Sequence, residues 1–263
     1  MTLSAAEIED LRTAKSLLET PGLAARIGNL AGAPIEKGFA LLPRKWNAVV
    51  NDATRKSIET ALDVALWTMD HQQARSASNW WHKLAVGTTG AAGGAFGLPA
   101  LAIELPVSTA IMLRSIADIA RSQGENLKTP EARLECLQVL ALGGGSISDD
   151  GSDTGYFAAR AAMAKAVSDA VQHLARSGLS HKGAPAMVRL IALIASRFSI
   201  VVSEKAAAQA VPVLGALGGA VINTLFIGHF QNMGKGHFIV RRLERAHGPE
   251  EVRRIYQELQ SAR

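Results

Sequence analysis

Two long stretches without a charged residue constrain this chain more than any other feature. The first runs Leu84 to Ile103, is interrupted by Glu104, and continues uncharged from Leu105 to Leu113; the second runs Ala206 to Phe230. Neither can face water along its whole length, so each needs burial against other elements or in lipid. Glycines recur within them at helical steps, Gly87, Gly90, Gly94 and Gly97 in the first and Gly215 and Gly219 in the second. That spacing predicts a helix face without side chains, against which another backbone can pack closely.

Glycine clusters also cradle phosphates, but the chemistry is missing here. Gly97 is followed by Leu98-Pro99, with no Lys-Ser/Thr for phosphate and magnesium. The first cluster lacks the Gly-x-Gly pair of a dinucleotide fingerprint, and where Gly234-Lys235-Gly236 supplies one, Ile239 stands in place of the third glycine. No cofactor is expected. The first run also inserts weakly: Leu84, Val86, Phe96, Leu98, Leu101 and Ile103 together supply only ~2 to 4 kcal/mol. Buried or reversibly membrane-engaging helices are therefore expected rather than permanent spans.

The rest of the chain reads as all-α. Hydrophobic residues make up 48%, aromatics only 5%, and Ala and Leu dominate over β-branched and aromatic strand formers. Ser4-Ala5-Ala6-Glu7 has capping-box spacing for a first helix ending before Pro21-Gly22. Ile58, Leu62, Leu66 and Met69 mark another over about 52–71, Thr129-Pro130-Glu131 opens one that Gly143 ends, and further helices are expected over 156–177 and 186–209. In the last of these Leu190, Leu193, Ile194, Ile200 and Val201 read as core-facing. The small acidic stretch 143–153 reads as an exposed loop inside a single domain, 1–263. Gly234 and Gly236 should break the chain before basic amphipathic helices over about 237–246 and 249–260. The whole is expected to be one helical bundle with the two uncharged segments at its core.

Charge and thiols narrow the setting. Cys136 stands alone, which excludes an internal disulfide and fits a reducing compartment, and the first twenty residues mix charges without an apolar core, unlike a secretory signal. A cytoplasmic protein is expected. The formal charge is +5, and seven Lys/Arg face four Glu between Lys235 and Arg263. Arg241, Arg242, Arg245, Arg253 and Arg254 are thus candidates for meeting an anionic membrane surface or a membrane protein. Nucleic acid ranks lower, since only Phe238 and Tyr256 accompany these charges as base-stacking platforms.

Three segments, AGGAFGLPALAIELPVSTAIMLRSIADIARSQGEN (92–126), TGYFAARAAMAKAV (154–167) and VPVLGALGGAVINTLFIGHFQNMGKGHFIVRRLERAHG (211–248), in this order resemble the EcsC family. The Gly-rich run into Leu-Pro, the Gly-Tyr-x-x-x-Arg element and the Gly-Gly-x-x-Asn stretch leading to His-Phe carry the likeness. It implies a bacterial helical protein, cytoplasmic or peripheral to the inner membrane, of a family named for a member encoded beside an ABC transporter. It implies no established activity, and fold-level analogy does not supply one.

Polar residues inside apolar surroundings are the candidate sites. Glu104 must be paired, protonated or beside water, with Arg114 or Arg160 as counter-charge. Asn223 needs hydrogen-bond partners within its helix packing. Tyr156 and Arg160 share a helix face and could bind a headgroup phosphate together, or simply pack. His229 and His237, with Glu104 or Glu204, are the only residues that suggest a metal-dependent hydrolase, although no HExxH or His-x-His backs it. There is no Gly-x-Ser-x-Gly elbow, and Cys136 in a helix body reads as an inert buried thiol. Catalytic residues are unassigned. The leading expectation is a membrane-associated protein binding lipid or a membrane partner at the cytoplasmic face.

Overall fold

A computed structural model describes residues 3–19, 22–31, 36–68, 97–144, 155–177, 184–211 and 219–259. Every regular element among them is a helix: α1 Ala5–Leu18, α2 Leu23–Ala31, α3 Glu36–Leu41, α4 Trp46–Thr68, α5 Gly97–Ser122, α6 Pro130–Leu142, α7 Gly155–Ser177, α8 Pro185–Ala210, α9 Gly219–His247 and α10 Pro249–Glu258. The protein is all-α.

Local chemistry sets the ends. The Ser4 hydroxyl accepts from the Glu7 amide at 3.4 Å while the Glu7 carboxylate accepts from the Ser4 amide at 2.8 Å, a complete capping box that starts α1. Thr129 caps α6 through the Ala132 amide at 3.3 Å, with Pro130 at the first turn and Gly143 at the end. Arg197 of α8 reaches back to the Ala141 and Gly144 carbonyls at 2.9 and 2.8 Å, so the orphan acceptors at the end of α6 are met by a side chain from another helix. At the far end of the chain, Lys15 is wholly buried and donates to the carbonyls of Tyr256 and Leu259 at 3.2 and 2.8 Å, closing α10 onto α1.

The shortest long-buried helix is the centre. Every residue of α6 from Ala132 to Ala141 is buried, and α4, α5, α7, α8 and α9 all pack against it. A helix enclosed on all sides must be apolar or have its polar groups answered; Arg133 answers its own by donating to the Leu127 carbonyl at 2.7 Å, whereas Glu135 and Gln138 turn outward from the centre into the site described below. The main core adds a triad of edge-packed rings, Phe198, Phe226 and Phe230, with centroids 5.2 to 6.0 Å apart. A second core joins α1, α7, α9 and α10 around Leu11, Tyr156, Phe157, Val240 and Tyr256.

Three sequence expectations change. The run Ala206–Phe230 is not one segment: its start ends α8 and its last part begins α9, and 212–218 lie outside the described residues. Gly234 and Gly236 do not break the chain; α9 runs 29 residues unbroken through both, about 43 Å at 1.5 Å per residue. A Cβ on Gly236 would meet Leu18 Cγ at 2.7 Å and the Ala14 carbonyl oxygen at 3.0 Å, so this glycine serves the contact with α1 rather than a turn. Within 143–153, Gly143 and Gly144 are buried rather than exposed, because a Cβ on Gly143 would sit 2.6 Å from the Phe230 ring; the remainder lies outside the described residues.

Candidate functional site

Tyr156, the second residue of α7, and Arg160, one turn later, do share a face, and α9 brings His237 onto it from 81 positions away in sequence. The Tyr156 hydroxyl lies 2.9 Å from His237 Nδ1, His237 Nε2 lies 3.1 Å from Glu135 Oε2, and Arg160 reaches the same hydroxyl at 3.3 Å. The direction of this chain is fixed by its last member. The Glu135 carboxylate only accepts, so His237 donates through Nε2; a neutral ring then has Nδ1 free to accept the Tyr156 proton, while the Tyr156 oxygen accepts from Arg160.

Electrostatics agree with that order. Burial pushes His237 below its ordinary 6.5, against the pull of Glu135, which keeps the ring neutral. Burial alone would raise Glu135, but the His237 bond and the charges of Arg241 and Arg160 bring it below the usual carboxylate range. Burial also raises Tyr156, so it stays a phenol. Arg160 is clamped by a fork of bonds to Glu244 at 2.7 and 2.9 Å. Arg241 lies between Glu125 at 2.8 Å and Glu135 at 3.0 Å, with Glu131 at 3.4 Å.

This network forms the floor of an open cleft of about 510 Å³, in the size range of small-molecule sites. Glu135 and Gln138 of α6 line one wall, Phe157, Arg160 and Val167 of α7 the other, with Glu244 of α9 below and Arg253 of α10 at the rim. Arg253 lies over the Phe157 ring at 5.5 Å.

A second polar group occupies the opposite end of α9. The wholly buried Lys205 donates to Glu104 at 2.7 Å and to the Asn223 side-chain oxygen at 2.9 Å, and sits 4.6 Å from the centre of the Phe226 ring. Glu104 is thus ion-paired as its surroundings demand, but with Lys205 rather than Arg114 or Arg160. Arg114 stands ten residues, about 15 Å, along the same helix, and Arg160 is held by Glu244. Asn223 is helix-to-helix glue. Ile103 and Val221, each beside this group in sequence, are exposed at 69% and 37%.

The remaining expectations fall elsewhere. His229 bonds the Gly143 carbonyl at 2.9 Å while His237 serves Tyr156 and Glu135, and among the described residues no three His, Cys, Asp or Glu side chains are grouped as metal ligands. The arrangement does not form the zinc-type site the two histidines suggested. Cys136 is buried and its thiol is pushed upward, chiefly by burial, so it is inert. Gly87, Gly90, Gly94 and Gly215 lie outside the described residues, and Gly97 and Gly219 are the first residues of α5 and α9. Among the described residues, close packing at glycine is seen at Gly38, Gly143, Gly144 and Gly236. The candidate headgroup arginines are engaged within the protein: Arg241 and Arg245 with Glu125, Arg242 with Asp10, Arg254 with Glu251 and Glu258, and Arg253 on Phe157. Sequence reasoning missed Glu135 and Glu244. An acid inside the apolar run LECLQVL carried the same signal as Glu104, whereas Glu244 within RRLERAH was indistinguishable from a solvated helix charge.

An all-α protein with a polar network across α6, α7 and α9 and a cleft above it is the class these observations define. The profile of the EcsC protein family matches residues 5–243, and the chain belongs to that family. No curated protein and no solved structure matches it.

Proposed function

We propose that this protein works at the cytoplasmic face of a membrane, holding to the bilayer reversibly through α8. One observation carries the reading. Among the described residues α8 is the helix long and apolar enough to cross a membrane, yet only 33% of its most apolar stretch is buried. Val188, Leu193 and Ile200 stand exposed on it at 53%, 36% and 37%. The exposure of Leu193 and Ile200 departs from the core-facing pattern of the sequence and leaves apolar surface without a partner among the described residues. Partial burial of these three side chains in lipid is worth about 2 to 3 kcal/mol in all, comparable to a weak reversible anchor and far short of a span.

The internal pairing of the C-terminal arginines supports an apolar rather than an electrostatic grip. In flotation with vesicles of neutral phosphatidylcholine and of phosphatidylcholine with phosphatidylglycerol, the full chain should rise with both and lose little binding in high salt. The triple variant Val188→Glu, Leu193→Glu, Ile200→Glu should stay at the bottom. A wild-type chain that remains at the bottom, or a triple variant that floats equally well, refutes the proposal.

A further inference from the structure

Gln138 is only 3% exposed, yet it lines the cleft, and its carboxamide has no hydrogen-bond partner among the described residues. Its amide atoms are not sealed from the open cleft, so water answers them in the free protein, and a ligand that enters must replace both the donated and the accepted bond or lose affinity. The surrounding charges do not supply these bonds, because they are already matched: Arg160 with Glu244, and Arg241 with Glu125, Glu131 and Glu135. The exception is Arg253, which carries no ion pair among the described residues and is held at the rim over Phe157. Between them, Ala161, Ala164, Val167 and Val171 of α7 present small and apolar side chains to the cleft.

Each of these features selects one group of a ligand. A carboxamide that must both give and take a hydrogen bond is satisfied by another amide, which offers a carbonyl and an N–H side by side. The apolar strip takes a hydrocarbon body. An unpaired guanidinium at the mouth takes a carboxylate by a charge-assisted, two-pronged bond. We propose that the cleft binds a small amphipathic acid bearing an amide, of the N-acyl amino acid kind. The directed chain from Arg160 through Tyr156 and His237 to Glu135 holds the two walls in register beneath it, so the site is preorganised and the ligand need not order it.

Titration calorimetry on the full chain tests this with N-octanoylglycine, decanoate and decylamine, all as monomers. N-octanoylglycine should bind about tenfold more tightly than decanoate, since only it can satisfy Gln138, and decylamine should bind least. Gln138→Leu should bring N-octanoylglycine down to the affinity of decanoate and leave decanoate unchanged. Arg253→Glu, at an exposed position, should weaken both acids about tenfold and reverse their order against decylamine. Ala161→Phe fills the cleft from its rim and should abolish all binding, which keeps the test decisive if Gln138→Leu fails to fold. Equal affinity for the three probes, indifference of the acids to Arg253→Glu, or no binding by the wild type overturns the proposal. Membrane flotation bears on α8 alone, so its failure leaves this inference standing.

Discussion

At the scale of single residues, glycines behave in opposite ways according to what surrounds them. A Cβ on Gly38 of α3 would overlap the Ala207 carbonyl oxygen of α8, while one on Gly228 in the body of α9 would meet nothing within 4 Å. Gly38→Ala should therefore destabilise the protein by about 2 kcal/mol or more through a backbone clash, whereas Gly228→Ala should stabilise it by about 0.5 to 1 kcal/mol through helix propensity. Thermal melting of the two variants reads both signs. His229 gives a second residue-scale expectation. Its Nε2 must donate to the Gly143 carbonyl, which leaves Nδ1 buried without a partner. A proton there would be an unanswered charge, and burial, with Arg26 adding repulsion, pushes the ring below its ordinary 6.5. The unfolded imidazole takes up a proton near that value while the folded one resists, so protons favour the unfolded chain and stability falls as pH drops through about 6.5. His237 is shifted the same way. A melting temperature that declines between pH 7 and 5, and declines less steeply in His229→Gln, is the expected outcome.

At the scale of elements, the same arginine-rich helices contain cations of very different consequence. Arg241 has a side chain 13% exposed between Glu125 and Glu135, which are 6% and 11% exposed; removing it strands two buried carboxylates, and Arg241→Ala should cost about 3 kcal/mol. Arg254, 55% exposed and paired along its own helix, should leave the melting temperature unchanged when replaced by Ala. Chemical denaturation of the pair separates them. Nothing in the composition of the C-terminal segment distinguished the two, because the sequence shows charge but not what lies across a helix interface. Ends were more legible than interiors. Ser4 to Glu7 and Thr129 to Glu131 carry their caps in adjacent residues, so α1 and α6 start where the pattern says. Whether Gly234 and Gly236 stop or merely thin a helix depends on α5 and α6 lying against the first and α1 against the second, which no local pattern contains.

At the scale of the whole molecule, the all-α character follows from composition and periodicity, but the meeting of parts does not. Tyr156 and Arg160 could be paired from their spacing of four, and His237 could be singled out as a polar residue in an apolar turn. Their assembly around Glu135 requires α6 to sit at the centre with α7 and α9 on either side, a tertiary fact. The apolar face of α8 is hidden in the sequence, because its apolar residues are interspersed with Arg189, Arg197, Glu204 and Lys205 and so never form a long uncharged run.

Helix α9 carries Asn223 of the Lys205 group near its start and Glu244 of the cleft near its end, with no break between them. An unbroken backbone ladder leaves no hinge between the two groups, so the separation of the Lys205 group from the floor of the cleft is set by a count of helical turns.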